Sequence, residues 1–126
     1  MSDTTILDTN AILRYILQDD NEKTEKVKDK INANRCLIPT EVVAEVVYVL
    51  VKFYKVPRKN SAAAIENFLA LANVFPMEAT IVCRGLVSFA STKLDFVDCN
   101  MAGYQMQGYS IFTFDKKLQN YLKKMA

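Results

Sequence analysis

Four carboxylates stand at positions where this amino-acid sequence could do chemistry: Asp8, Glu45, Asp98 and Asp115. Asp8 directly follows the stretch Thr4–Leu7, and Asp115 directly follows Tyr109–Phe114. Both stretches are rich in β-branched or bulky apolar residues, which is typical of β-strands, and open α/β sheets bind ligands beyond the carboxyl ends of their strands. We therefore expect Asp8 and Asp115 to converge at one edge of a sheet, although they are far apart in sequence.

The other two acids belong to predicted helices. Glu45 lies in the middle of a helical segment that is apolar almost all round, where a carboxylate is costly unless it is paired or binds a metal. Asp98 begins an amphipathic helix pattern. We expect both side chains to reach the crevice that Asp8 and Asp115 line.

Ordinary structural roles remain open for two of these acids. Asp8 is well suited to cap the helix that follows it. Glu45 shares a narrow helical stripe with Glu41, Tyr48 and Lys52, and such a stripe is also typical of a helix edge that faces water.

The types of the remaining residues restrict the chemistry. Carboxylates that crowd one crevice raise each other's pKa unless a cation neutralises them. The chain has no histidine, which excludes serine–histidine and cysteine–histidine catalysis and histidine zinc sites. Its three cysteines, Cys36, Cys83 and Cys99, are widely spaced and are expected to be reduced structural thiols. Hard oxygen ligands favour Mg²⁺ or Mn²⁺, so the predicted chemistry is metal-dependent phosphoryl transfer.

The elements that must position the acids alternate along the chain. The predicted strands are Thr4–Leu7, Cys36–Ile38, Val74–Pro76 and Tyr109–Phe114. The predicted helices are Asn10–Leu17, Glu22–Asn32, Glu41–Tyr54, Ser61–Ala72, Glu78–Ser91, Asp98–Gln107 and Lys116–Lys124. Strands that alternate with helices form right-handed crossovers and a parallel sheet covered on both faces. The pattern predicts an α/β fold, and a single domain over residues 1–126 is expected because the composition shows no break.

Charge and hydropathy narrow the functional classes. A net charge of +2 is too small for a general basic coat against nucleic acid, so phosphates would be bound by local cations. The candidate cations are Arg14, Lys52, Lys55, Arg58, Lys116 and Lys117. The hydrophobic share of 51% predicts an apolar surface for a partner. The longest apolar run, Val42–Val51, is too short for a membrane span and the first residues do not resemble a signal peptide, so a soluble, cytoplasmic protein is expected.

Four motifs together resemble a PIN-domain ribonuclease, and within that family the VapC type of toxin. They are DTN at Asp8–Asn10, PTEVVAEVVYVL at Pro39–Leu50, LDFVDCNMAG at Leu94–Gly103 and IFTFDKKL at Ile111–Leu118. The resemblance covers essentially the whole chain. It implies a three-layer α/β/α sandwich with a central, mainly parallel sheet of four or five strands.

The same resemblance implies a site and partners. It assigns metal binding and catalysis to Asp8, Glu45, Asp98 and Asp115. Asn10 and Thr113 match supporting polar residues, while Asp95 and Glu41 lie close enough to the matching acids to be the alternative assignments. The implied protein is an Mg²⁺- or Mn²⁺-dependent endoribonuclease that acts on RNA, forms a homodimer, and is bound by an antitoxin protein as the toxin of a type II pair.

Two other classes of function remain open. A phosphatase or a phospho-acceptor receiver domain also uses a carboxylate–Mg²⁺ crevice. A phosphatase is favoured by a DxD pair after the first strand, where this chain has Asp8–Asn10, and a receiver domain by an acidic pair before Asp8, where only Asp3 is near. The second class is a non-catalytic RNA-binding or interaction module of the same fold.

Overall fold

The computed structural model of the protein describes residues 4–126, which form three β-strands, seven α-helices and one π-helix. Asp3 and the other two residues of the N-terminus, on which the receiver-domain and signal-peptide arguments partly rest, lie outside the described residues. Two compact units divide the chain, Met1–Met77 and Glu78–Ala126. The expected single domain over residues 1–126 stays a prediction.

The elements follow the predicted order. The strands are β1 (Thr4–Ile6), β2 (Arg35–Ile38) and β3 (Val74–Pro76). The α-helices are α1 (Thr9–Leu17), α2 (Asn21–Ala33), α3 (Thr40–Tyr48), α4 (Arg58–Leu69), α5 (Ala79–Ser91), α6 (Phe96–Met106) and α7 (Lys116–Met125). The π-helix, Val49–Phe53, continues α3 directly. Among residues 4–126, none of the helices has the length and apolar character that a membrane span requires.

The first unit is organised around a parallel sheet in the order β1-β2-β3. In this sheet Cys36 of β2 lies opposite Thr5 of β1 on one side and Val74 of β3 on the other. Cys36 and Ile38 are fully buried, as expected of a central strand that is covered on both faces. Further core residues of this unit are Ile12, Val43, Leu50, Ile65 and Phe68. The predicted parallel α/β arrangement is therefore confirmed.

The predicted number of four or five strands is wrong for the part of the chain that the structure describes. Tyr109–Phe114 was predicted as a strand, but it is irregular and pairs with no strand there. Strand propensity largely reflects packing against neighbouring strands, which a single sequence does not reveal. In this segment the carbonyl of Thr113 accepts a hydrogen bond from Gln119 Nε2 at 2.7 Å instead of a ladder bond. Phe112 and Phe114 remain 87% and 84% exposed.

The third predicted helix also differs from the expectation of one α-helix from Glu41 to Tyr54. After Tyr48 the helix widens into the π-helix, in which the amide of Tyr54 donates to the carbonyl of Val49 at 3.1 Å. Lys55 follows with φ +58°, in the left-handed region. The wider turn changes the direction in which the residues after Tyr48 project, which periodicity alone does not predict.

The second unit contains α5, α6 and α7. Phe89 of α5 and Phe96 of α6 meet edge to face, with ring centroids 6.2 Å apart. Ala102 of α6 is buried together with Leu118 and Leu122 of α7. The apolar faces of the three helices thus form the core of this unit.

A glycine in the middle of α5 permits the close packing of α6. A methyl group built on Gly85 would overlap Oδ1 of Asn100 and lie 3.3 Å from the ring of Phe96. Asn100 is buried, and its Oδ1 has no hydrogen-bond partner in the described part of the chain. Gly85, which lowers the helix propensity of its segment, is therefore explained by the space that the Asn100 side chain takes.

This contact predicts an energetic coupling between Gly85 and Asn100. We expect Gly85→Ala to lower the free energy of unfolding by about 1–3 kcal/mol, because overpacking forces the neighbouring groups to move. Combining it with Asn100→Ala should recover part of that loss in a double-mutant cycle measured by urea unfolding. Gly103→Ala is the matched control, since its methyl group would meet Ile81 and not Asn100. Strictly additive effects of Gly85→Ala and Asn100→Ala would contradict the coupling.

Candidate active site

Asp8 caps α1 in the first unit. Its backbone is extended (φ −88°, ψ 176°), and its Oδ1 accepts a hydrogen bond from the amide of Ala11 at 2.9 Å. The capping interpretation is therefore confirmed. The cap uses one oxygen of an exposed carboxylate, so Oδ2 is left for a second ligand. Asn10 lies in the first turn of α1 and is also exposed.

Glu45 lies on the exposed edge of α3. Glu41, Tyr48 and Lys52 are exposed as well, while Val46 on the other side of the helix is buried. The expectation that Glu45 is a costly buried carboxylate is therefore wrong, because the stripe is the solvated edge of the helix. The role of Glu45 in metal binding stays a prediction.

Asp98 is the acid whose surroundings are most perturbed. It lies in the first turn of α6, which begins at Phe96, two residues earlier than predicted, with Asp95 at the N-cap position. Burial raises the pKa of the half-buried Asp98 carboxyl, and the negative charges of Asp115 and Asp95 raise it further. A carboxyl that is both desolvated and surrounded by like charges is typical of a functional site. Asp95, which the sequence offers as an alternative to Asp98, is thus a neighbouring charge in the same cluster.

Asp115 caps α7 and is held in place by Thr113. Its Oδ1 accepts a hydrogen bond from the amide of Leu118, and its own amide donates to Thr113 Oγ1, both at 3.0 Å. Gln119 Nε2 donates in turn to the Thr113 carbonyl. The hydroxyl of Thr113 therefore supports the backbone that carries Asp115. Its supporting role in a metal site stays a prediction.

Two groups of predicted site residues are thus placed in separate units. Asp8 and Glu45 belong to the first unit, and Asp98 and Asp115 to the second. The convergence of all four acids stays a prediction. Within residues 4–126, no three or more acid or cysteine side chains form a group that could hold a metal ion. The donors are all carboxylate oxygens, and this chemistry fits a hard divalent cation such as Mg²⁺ or Mn²⁺.

The candidate phosphate-binding cations differ in their surroundings. Arg14 Nη1 lies 3.1 Å from Asp19 Oδ1, and Arg14 Nη2 donates to the Tyr54 hydroxyl at 3.4 Å, so this guanidinium already has an anionic partner. Four other candidates are exposed: Lys52, Lys55, Lys116 and Lys117. The sequence argument placed Tyr48 only in the stripe of Glu45 and did not consider Phe53, although both are exposed aromatic residues close to Lys52 and Lys55 in the sequence. Their alternation with lysines along the chain was the signal that could have revealed them.

Two of the three cysteines, Cys36 and Cys99, fit the expected structural role. Cys36 and Cys99 are buried, Cys83 is exposed, and the three form no disulfide in the described part of the chain. Burial raises the pKa of the Cys36 thiol, although the charge of Lys30 opposes this effect. A buried thiol with a raised pKa is a poor nucleophile, so Cys36 is a packing residue.

Comparison with known families identifies the class of protein to which this parallel α/β fold belongs. A model of the PIN domain matches residues 5–124. The chain therefore belongs to the PIN-domain family. PIN domains are generally nucleases, and these nucleases usually use divalent metals. No curated protein and no solved structure matches the chain.

The hydroxyl of Thr113 should contribute measurably to stability. We expect Thr113→Val to lower the free energy of unfolding by about 1 kcal/mol, because the amide of Asp115 loses its acceptor. Thr113→Ser keeps the hydroxyl and should retain most of the stability. Urea unfolding of the three proteins checks this, and an equal loss in the serine and valine variants would contradict the role of the hydroxyl.

The raised pKa of Asp98 predicts that a variant with an uncharged side chain at this position is more stable than the parent protein, by an amount that depends on pH. Below the pKa of about 3.9 that an aspartate has in the unfolded chain, the carboxyl is protonated in both states and its burial costs little. As the pH rises through the higher pKa of the folded state, the folded protein loses stability relative to an uncharged variant. Asp98→Asn should therefore gain stability over the parent protein between about pH 4 and pH 7 in EDTA, as measured by urea unfolding. A difference that does not change with pH would contradict this electrostatic cost.

Proposed function

We propose that this protein is an endoribonuclease that hydrolyses RNA phosphodiester bonds with Mg²⁺ or Mn²⁺. The observation that carries the proposal is the environment of Asp98, which is half-buried and faces the charges of Asp115 and Asp95. A carboxylate whose ionised form is disfavoured in this way is stabilised when a cation binds beside it. Membership of a family that generally consists of nucleases supports the proposal.

The residues proposed to bind the metal are Asp8, Glu45, Asp98 and Asp115. In both Asp8 and Asp115, Oδ1 accepts a hydrogen bond from a backbone amide. This bond fixes the carboxylate and leaves Oδ2 as the proposed metal-binding oxygen. Glu45 completes the shell or orients the attacking water. Asn10 and Thr113 support the acids at the starts of α1 and α7. When bound, the cation lowers the pKa of water and neutralises phosphate charge, so hydrolysis leaves a 5′-phosphate and a 3′-hydroxyl.

The cellular role belongs to the same proposal. We infer that the protein acts in the cytoplasm as the toxin of a toxin–antitoxin pair, as a homodimer that an antitoxin protein binds. Large apolar side chains on its surface support a protein partner, since such side chains are typical of protein interfaces. In the second unit they are Val87, Val97, Met106, Tyr109, Phe112 and Phe114.

RNA cleavage tests the proposed activity. Purified protein is incubated with end-labelled structured RNAs, including tRNA, in Mn²⁺, Mg²⁺ or EDTA. We expect cuts only with metal, and a loss of about 100-fold or more in Asp98→Asn, because the side chain loses its negative charge and one of its two oxygens. Asp95→Asn should keep most of the activity, since Asp95 acts on Asp98 only through its charge.

Controls separate loss of function from loss of fold. Asp29→Asn, an exposed acid on α2, should cleave like the parent protein, and circular dichroism should show all three variants folded. Loss in Asp95→Asn with activity retained in Asp98→Asn would reverse the assignment of the two acids. RNA binding without cleavage in any metal would instead identify a non-catalytic RNA-binding module.

A further inference from the structure

A group of exposed aromatic residues follows the end of α3 in the first unit. Tyr48, the last residue of α3, is 64% exposed, and Phe53, the last residue of the π-helix, is 74% exposed. Tyr54 comes next and is exposed as well. Two lysines, Lys52 and Lys55, alternate with them. We call Tyr48, Lys52, Phe53, Tyr54 and Lys55 the aromatic–basic ridge.

The ridge lies in a stretch of the chain whose charged residues are all positive. Residues 46–65 include Lys52, Lys55, Arg58 and Lys59 and contain no aspartate or glutamate. Protein–protein interfaces are depleted of lysine, whereas surfaces that bind single-stranded nucleic acid combine cations with exposed aromatic rings. The composition of the ridge therefore favours an RNA ligand over a protein.

The backbone holds the ridge in one conformation. The amide of Tyr54 donates to the carbonyl of Val49 at 3.1 Å, and the amide of Val56 donates to the carbonyl of Leu50 at 2.9 Å. Leu50 is buried, so the π-helix is anchored in the core. Lys55 keeps a left-handed backbone (φ +58°), which is costly for a residue other than glycine. Both π-helical turns and such backbone strain are found disproportionately at functional sites.

Two rings of the ridge, those of Phe53 and Tyr54, are also oriented before any ligand binds. Arg14 Nη2 donates to the Tyr54 hydroxyl at 3.4 Å, and Arg14 is itself fixed by its ion pair with Asp19. Phe53 meets Tyr54 edge to face, with 5.0 Å between centroids and 80° between the planes. Because such rings are already held in place, they lose little conformational entropy when a base stacks on them.

The ridge starts close to one of the proposed catalytic acids. Tyr48 and Glu45 are on the same exposed edge of α3, three residues apart, which corresponds to about 4.5 Å along the helix axis. Lys52 follows in the π-helix and is exposed as well. A base stacked on Tyr48 would therefore belong to a nucleotide near the bond that Glu45 acts on.

We propose that the aromatic–basic ridge binds single-stranded RNA. Bases stack on Tyr48 and Phe53, and phosphates of the same strand contact Lys52 and Lys55. The stacking requires unpaired bases, because the faces of paired bases are covered by their neighbours in a duplex. This proposal rests on the proposed nuclease function and names its substrate as RNA with an unpaired segment.

Binding is measured by fluorescence anisotropy with a labelled RNA of about 12 unpaired nucleotides, within the length that such surfaces cover. EDTA prevents hydrolysis. Phe53→Ala and Tyr48→Ala should each weaken binding about tenfold, whereas Phe53→Tyr keeps a ring and should bind like the parent protein. A matched RNA duplex should bind much more weakly than the single strand.

The lysines are tested through the salt dependence of the same binding. Lys52→Gln combined with Lys55→Asn should reduce the slope of log K against log salt concentration by about 1.4, because two phosphate contacts are lost. Asparagine is chosen at position 55 because it tolerates a left-handed backbone. Lys23→Gln combined with Lys26→Gln on α2 removes the same charge from another exposed surface and should leave the slope unchanged.

Three results would overturn the ridge proposal. They are unchanged affinity in both alanine variants, equal affinity for duplex and single strand, and a change of oligomeric state in Phe53→Ala with RNA affinity retained. The last result would assign the ridge to contact between copies of the chain. RNA binding through the ridge without cleavage in Mg²⁺ or Mn²⁺ would support the ridge and refute only the nuclease activity. RNA cleavage by the parent protein, together with ridge variants that bind RNA with normal affinity, would support the nuclease activity and refute only the ridge proposal.

Discussion

The parallel pairing of β2 with both β1 and β3 is the constraint on which the first unit depends. Parallel neighbours need long crossovers, so α1 and α2 connect β1 to β2, and α3, the π-helix and α4 connect β2 to β3. Each crossover begins at the carboxyl end of its strand. This places Asp8 directly after β1, at the N-cap of α1, and Glu45 in the helix that follows β2. The aromatic–basic ridge lies in the middle of the second crossover, between α3 and α4.

Helix capping and the proposed metal binding use the same acids without competing for the same oxygen. Asp8 and Asp115 each cap a helix, and the Oδ1 of each accepts a hydrogen bond from the amide three residues further along the chain. The positive end of the helix favours the ionised carboxylate, and the hydrogen bond fixes its direction. A capping aspartate is therefore already arranged as a ligand for a cation. For Asp8, whose role the sequence leaves open, the observed cap and the proposed metal binding are compatible.

The second unit bears the electrostatic and packing costs that are typical of a functional site. Asp98 is half-buried beside like charges, and two residues further along α6 the side chain of Asn100 has a buried oxygen without a partner in the described part of the chain. Gly85 provides the space for that side chain at the expense of helix propensity. Each feature lowers the stability of the isolated unit. Together they are consistent with selection for a property of α6 other than stability.

The sequence by itself determined the alternation of strands and helices, because short β-branched runs and amphipathic periods are local patterns. It also indicated that Asp8 and Asp115 stand where helices begin, since capping depends on neighbouring residues in the chain. The family follows from the same local motifs, which recur in a fixed order. The first three strands and six of the seven α-helices were found within a few residues of their predicted bounds, whereas α3 ends at Tyr48 and continues as the π-helix.

The tertiary structure decided everything that depends on distant partners. Tyr109–Phe114 has the composition of a strand, yet a strand exists only where another backbone supplies hydrogen bonds. Glu45 lies in an apolar run, yet packing turned its edge of α3 toward water. The raised pKa of Asp98 comes first from its burial and then from the nearby charges of Asp115 and Asp95, and the π-helix is anchored by the burial of Leu50. Burial, charge proximity and strand pairing are properties of the folded chain, so no local pattern could specify them.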